Sequence, residues 1–355
     1  MATTHPRAAK KLSELTFEGL WRTTGGEHPE DFLQADSGEG SPQRVVLFAT
    51  SAQLQLLAQA KEWYMDGNFA MSPDLFSQLY VIRVPLGTSS VTVLYALLQK
   101  KSQATYEVML QLLLQRLEEL ELECEVERVV LDFEAAVINA VKSKLGYQVQ
   151  LGGCFFHLTQ STYRRVQSLG LTNKYKTDKE FAWFVGMMDA LALLPVHDVK
   201  RGMTFLRSIC PEEGYELLSY FDETYVSGVP RGRSTRRSPP MFPPEVWNHH
   251  DATRAGDSRT NNIAESWNSM FKTLVGHKHP SVWSLIQGLR KDAADVSKNI
   301  RQAELGDPPQ RRQLKASLAT IHRRQRQLCD DYVAGNLTLA GFLRSAGKNI
   351  RYGRH

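Results

Sequence analysis

The 355-residue sequence is 42% apolar and 23% charged, with 43 Lys and Arg against 38 Asp and Glu for a formal net charge of +5. That length points to about two domains, or one large domain with an insertion, and the composition excludes a wholly disordered chain. Cys124, Cys154, Cys210 and Cys329 contain no Cys-x-x-Cys pair, which excludes a disulfide scaffold and paired zinc-finger spacing and points to a reducing, intracellular compartment.

Residues 1–43 are polar and become rich in Gly, Glu and Ser, as expected of a loosely held, flexible lead-in. They open without an apolar signal-peptide run. Residues 44–50 read as a short strand, followed by a helix over 51–60 with Ser51 as its N-cap. Strand-like runs at 63–66, 76–85 and 91–98 are rich in β-branched and aromatic residues and come in close succession, which predicts an antiparallel meander. Residues 105–120 carry apolar side chains at three- and four-residue spacing, the pattern of an amphipathic helix. A buried strand at 129–132, a helix over 134–145 and a strand at 147–154 complete an α/β alternation. From 158 to about 222 the pattern is wholly helical. The longest apolar stretch, 181–196, is broken by Asp189 and is too short to span a bilayer, so no membrane association is expected. Residues 227–244 form a basic, proline-rich loop, a helix follows from about 261 to 274, and 281–330 is helical again.

Asp66 and Asp132 each stand at the C-terminal end of a short apolar strand. Side chains at that edge of an α/β sheet escape the core yet stay rigidly held. A buried carboxylate needs a cation or a donor, and two carboxylates on neighbouring strands with a third from a helix make an all-oxygen site suited to Mg²⁺ or Mn²⁺. Each residue also has a plainer reading. Asp66 before Gly67 fits a turn, and Asp132 before a helix fits an N-cap.

Four segments together resemble the Mutator-like element (MULE) transposase family. They are Asp66-Gly-Asn-Phe69 with the strands and Thr105-Tyr106 that follow, Leu131-Asp-Phe-Glu-Ala-Ala136, Gly153-Cys-Phe-Phe-His-Leu-Thr-Gln160, and Arg259-Thr-Asn-Asn-Ile-Ala-Glu-Ser-Trp-Asn268. The resemblance spans roughly residues 44–275. It implies a ribonuclease-H-like mixed sheet flanked by helices, interrupted by an all-helical insertion and followed by a helical C-terminal tail. The implied division is a core at 44–157, the insertion at 158–256 with its basic loop at 227–244, a core helix at 257–280 and a basic tail at 281–355. The implied catalytic and metal-binding triad is Asp66, Asp132 and Glu265, holding two Mg²⁺ or Mn²⁺ ions. Glu134, Asp251 and Asp257 compete with Glu265, which is preferred for its place between Asn261-Asn262 and Trp267. Family members commonly have a histidine where this chain has Asn268. Cys154 and His157 are implied to lie beside the active site, and both, with Asn261, Asn262 and Trp267, are expected to support it.

Residues 301–355 hold eleven Lys and Arg against four acids, so the positive excess of the whole chain sits there. Arg323, Arg324 and Arg326 in that tail, and Arg231, Arg233, Arg236 and Arg237 in the proline-rich loop, are candidate phosphate contacts for DNA. The resemblance implies a nuclear protein that cleaves DNA strands at transposon ends and transfers them to target DNA, and it allows a homo-oligomer. The alternative is a catalytically silent, domesticated relative acting as a DNA- or protein-binding module, motivated by the lack of the Cys/His-rich recognition domain that relatives often carry. A ribonuclease-H-like nuclease acting on RNA is a weaker third reading.

Overall fold

The computed structural model describes residues 6, 9–230, 237–256, 262–310 and 316–351, with the side chains of 262–266, 316–318 and 351 outside that description. In chain order the regular elements begin with β1 (Leu33–Asp36), β2 (Val45–Phe48), α1 (Ser51–Gln59), β3 (Glu62–Asn68), β4 (Gln78–Leu86) and β5 (Ser89–Leu98). Next come α2 (Gln103–Glu119), β6 (Arg128–Leu131), α3 (Ala135–Leu145), β7 (Gln150–Gly153), α4 (Phe155–Ser168), α5 (Thr172–Thr177) and α6 (Lys179–Ala190). The chain continues with α7 (Val199–Ser208), α8 (Tyr215–Phe221), α9 (Pro244–Trp247), α10 (His250–Ala255), α11 (Asn262–Val275), α12 (Val282–Glu304), α13 (Ala316–Val333) and α14 (Leu339–Arg351).

The strands form one mixed sheet of order β1-β2-β5-β4-β3-β6-β7. β3, β4 and β5 are the expected antiparallel meander. β6 then pairs parallel to β3, with Glu62 opposite Arg128 and Tyr64 opposite Val130. This is the ribonuclease-H-like mixed sheet with flanking helices that the sequence implied. None of the described helices is long and apolar enough to cross a membrane.

Two compact units emerge. The first holds Met1–Leu151 and Asn262–Arg312, and the second Gly152–Asn261 and Gln313–His355. The segment 281–355 is therefore not one tail: α12 belongs to the first unit, and α13 and α14 to the second. The reason lies in side-chain chemistry. α12 buries Trp283, Leu285, Ile286, Leu289 and Ala293 in the same core as Phe48, Tyr95, Trp267 and Phe271. In the second unit α14 lies against α6, and Gly347 allows the approach, since a Cβ there would stand 2.7 Å from the Met187 backbone nitrogen.

Three local expectations are corrected. The described part of the lead-in is packed: Leu15, Phe17 and Phe32 are buried, and β1 pairs with β2. Its anchor is Arg44, whose guanidinium is buried and donates to Asp36 at 2.7 and 3.1 Å and to the Leu15 carbonyl at 2.8 Å. The cap of α1 is Thr50, not Ser51: its side chain accepts from the Gln53 backbone, and the Gln53 side chain accepts from the Thr50 N–H, a reciprocal capping box. β3 runs on through Asp66 to Asn68, so Asp66-Gly67 is ladder rather than turn. Gly67 suits that place because a Cβ would stand 2.6 Å from Gln78 Oε1.

Arg44→Ala would remove the cation paired with the Asp36 carboxylate and the side-chain donor to the buried Leu15 carbonyl. A loss of about 3 kcal/mol is expected in urea denaturation, with residues 9–36 becoming the first site of limited proteolysis. An unchanged midpoint would contradict this role for Arg44.

Candidate functional site

The parallel register of β3 and β6 places the two acids. Paired residues differ by 66 positions throughout, so continuing two residues past Tyr64 and Val130 sets Asp66 beside Asp132. Their carboxylate oxygens lie within 4.8 Å of each other. Asp66 is 6% exposed, and Asp132, one residue past β6, is half-buried. Two ligands on one Mg²⁺ each sit at ~2.1 Å from it, so carboxylate oxygens this close suit a shared hard cation.

Asp66 is held by two donors. Its Oδ1 accepts from the Gly67 N–H at 3.0 Å, and its Oδ2 accepts from Asn268 Nδ2 at 2.9 Å. Asn268 is itself oriented. Its Oδ1 accepts from Asn68 Nδ2 at 2.8 Å, and Asn68 Oδ1 accepts from the Met71 N–H at 3.1 Å. The backbone N–H can only donate, so Asn68 must turn its oxygen to Met71 and its NH₂ to Asn268. Asn268 must then turn its own NH₂ to Asp66. A backbone group thus fixes the polarity of the whole relay, which ends on a carboxylate acceptor.

The helix that delivers Asn268 is pinned by a buried polar cluster. Trp267 stacks on Phe271 with ring centroids 4.7 Å apart, and its Nε1 donates to Asp292 at 3.0 and 3.1 Å. Tyr95 Oη donates to the same carboxylate at 2.6 Å. Burial pushes the Asp292 carboxyl up from its ordinary value, opposed by the Tyr95 and Trp267 hydrogen bonds and by Arg83. Burial also lowers the Arg83 guanidinium to about 10. Arg83 donates to Thr92 Oγ1 at 2.7 Å and to the Ser90 carbonyl at 2.7 Å. Trp267, expected as a supporting residue, is buried in the core next to Asn268 in α11.

Glu134 stands two residues beyond Asp132, at the N-cap position of α3, but its side chain makes no cap bond. It accepts instead from Tyr106 Oη at 3.1 and 3.2 Å, and Tyr106 in turn accepts from Gln78 Nε2 at 2.8 Å. Partial burial raises the Glu134 carboxyl, while Lys101 and the Tyr106 hydrogen bond pull it back down. The buried Tyr80 hydroxyl is raised well above its usual value, first by burial and then by Tyr106, Asp132, Asp66 and Glu134.

The remaining expected residues divide as follows. Glu265 and Asn262 lie on α11, and their side chains fall outside the described set, as does all of Asn261. The backbone of Glu265 is one helical turn before Asn268. Arg231, Arg233 and Arg236 also lie outside the described residues. Arg237 donates to the Gly228 carbonyl at 2.8 Å and to Asp222 Oδ2 at 3.1 Å, within the second unit. Arg323, Arg324 and Arg326 are exposed on α13. Cys154 is buried just before α4, and the half-buried His157 stands in the first turn of that helix. Among the described residues no cysteine belongs to a cluster of three metal-ligating side chains. His250 has Nδ1 2.8 Å from the Leu193 carbonyl. The sequence reading missed the Asn68–Asn268 relay and the Asp292 cluster. The departure from the family's histidine at 268 was the one signal that pointed to the relay.

Residues 63–161 match the family model described as the MULE transposase domain, which supports the MULE transposase family for this chain. The matched stretch includes Asp66, Asp132, Cys154 and His157 and ends before Glu265. No curated protein matches the chain.

The relay makes a specific prediction. Asn68→Asp keeps an acceptor for the Met71 N–H but removes the donor to Asn268, setting oxygen against oxygen along the chain. A loss of about 1–3 kcal/mol is expected in chemical denaturation, and a cost within about 0.3 kcal/mol of zero would show that the relay is not oriented in this way.

Proposed function

We propose that this chain is a Mutator-like DNA transposase, or a protein derived from one, that cleaves DNA strands and transfers them with the help of divalent metal. The observation that carries the reading is the Asp66–Asp132 pair, with oxygens within 4.8 Å at matched positions of parallel strands, inside the stretch that matches a MULE transposase domain.

Asp66 and Asp132 would hold Mg²⁺ or Mn²⁺, with Glu265 of α11 as the proposed third carboxylate and two ions as the proposed complement. Bound there, a divalent cation supplies Lewis acidity towards a phosphodiester and offsets the charge of its oxygens. The protein's own part is orientation. Gly67 and Asn268 orient the Asp66 carboxylate through two hydrogen bonds, and the Trp267–Asp292 bond holds α11 to the core. Exposed Arg323, Arg324 and Arg326 are proposed as phosphate contacts that bind DNA without reading its sequence. Transposon ends and target DNA are the proposed substrates, and the nucleus the proposed site of action.

The second reading, a silent DNA-binding relative, draws on one feature: both Asp66 oxygens already accept hydrogen bonds from the protein. The two readings part in a nicking assay on terminal-inverted-repeat DNA. Catalysis predicts Mg²⁺- or Mn²⁺-dependent nicking that EDTA abolishes and Asp132→Asn lowers by at least about 100-fold. DNA binding without nicking, indifferent to EDTA, would favour the silent module. Equal nicking by wild type and Asp132→Asn would refute the assignment of Asp132.

A further inference from the structure

The sheet edge that carries Asp66 has a second feature, one that the carboxylates leave unexplained. Phe69 directly follows β3 and remains 46% exposed although it is a large apolar residue. Lys101, in the loop between β5 and α2, brings Nζ to 3.6 Å from the centroid of that ring, a close cation–π contact.

The register explains the meeting. Asn68 pairs with Leu79, and Leu79 with Leu97, so the C-terminal ends of β3 and β5 lie at one edge. Parallel β6 brings Asp132 to the same edge. An aromatic ring, a cation and the acids Asp66, Asp132 and Glu134 thus share it. Lys101 is within electrostatic reach of Glu134, whose carboxyl it draws downward.

A single exposed phenylalanine is ordinary on a protein surface. Here the ring is held against a lysine, three residues from the Asp66 carboxylate. The three acids repel a polyanion, so a nucleic-acid strand needs a grip here that is either cationic or uncharged. Phe69 and Lys101 offer one of each. An unpaired base presents a π-face whatever its identity, and stacking it on an aromatic side chain is worth about 1–3 kcal/mol. A base inside a duplex is already stacked on its neighbours and gains little from the ring.

We propose that Phe69 and Lys101 form a clamp for a single-stranded DNA segment, with the Phe69 ring against an unpaired base and the Lys101 ammonium on an adjoining phosphate. This rests on the reading of the site as one that processes DNA, and deepens it by naming the strand state that the edge accepts.

The test uses the full chain in EDTA, so that cleavage does not intrude. A single-stranded oligonucleotide carrying 2-aminopurine is compared with a blunt duplex of the same length, by anisotropy for affinity and by 2-aminopurine fluorescence for stacking. Wild type should bind the single strand and quench the probe. Phe69→Ala should lose the quenching and bind the single strand about tenfold more weakly, with duplex affinity changed by less than about twofold. Phe69→Trp should keep the quenching, and matching circular dichroism spectra would establish that the variants fold. Quenching and affinity in Phe69→Ala equal to wild type would overturn the clamp. Wild-type binding of both DNAs without quenching would overturn the clamp alone, whereas binding of neither would overturn the DNA reading beneath it.

Discussion

Two like charges held close together dominate the first unit. Carboxylates at the 4.8 Å limit found for Asp66 and Asp132 repel by about 3 kcal/mol at the effective dielectric of a protein site. A fold tolerates such a pair only if its other groups offset the cost. For Asp66 they do so with two donors, the Gly67 N–H and the Asn268 amide. Neither donor carries a full charge, so the pair keeps its net negative character and its attraction for a cation.

Most of the remaining architecture serves to place those donors. The relay from Met71 through Asn68 reaches Asn268 only if α11 lies at a fixed depth and rotation. Trp267 sets that position by stacking on Phe271 and donating to Asp292. Asp292 is in turn satisfied by Tyr95, with Arg83 as its electrostatic counterweight. Removing Asp292 would leave the buried Trp267 N–H without its acceptor, so the network stabilises one arrangement and penalises the alternatives. The helix that carries Glu265 is thereby locked to the strand that carries Asp66.

Much of this was legible in the sequence, for identifiable reasons. β-branched and aromatic runs marked the meander, and the strand–helix–strand alternation marked the parallel pairing, because both are periodic and local. Asp66 and Asp132 were legible because each sits at or beside the end of an apolar strand, and their offset of 66 is the offset of the β3–β6 register itself. What escaped were contacts made across long separations by residues with many ordinary uses. Nothing local distinguishes Arg44 as the buried anchor of the lead-in, or Asp292 as the acceptor for Trp267. The polar lead-in read as loose because its scattered apolar residues show no period, yet Leu15, Phe17, Phe32 and Leu33 are buried. The basic tail read as one body because charge pattern does not reveal which helix faces are covered, and α12 parts from α13 and α14 on that ground.

The central claim is that Asp66 and Asp132 together form a divalent-cation site, and it can be measured without reference to any reaction. Mn²⁺ titration of the full chain, followed by electron paramagnetic resonance of the free ion, gives the affinity directly. The account predicts saturable binding by wild type, and a loss of at least about tenfold in affinity when Asp66→Asn or Asp132→Asn removes one ligand charge. Equal Mn²⁺ affinity in wild type and both variants would contradict it.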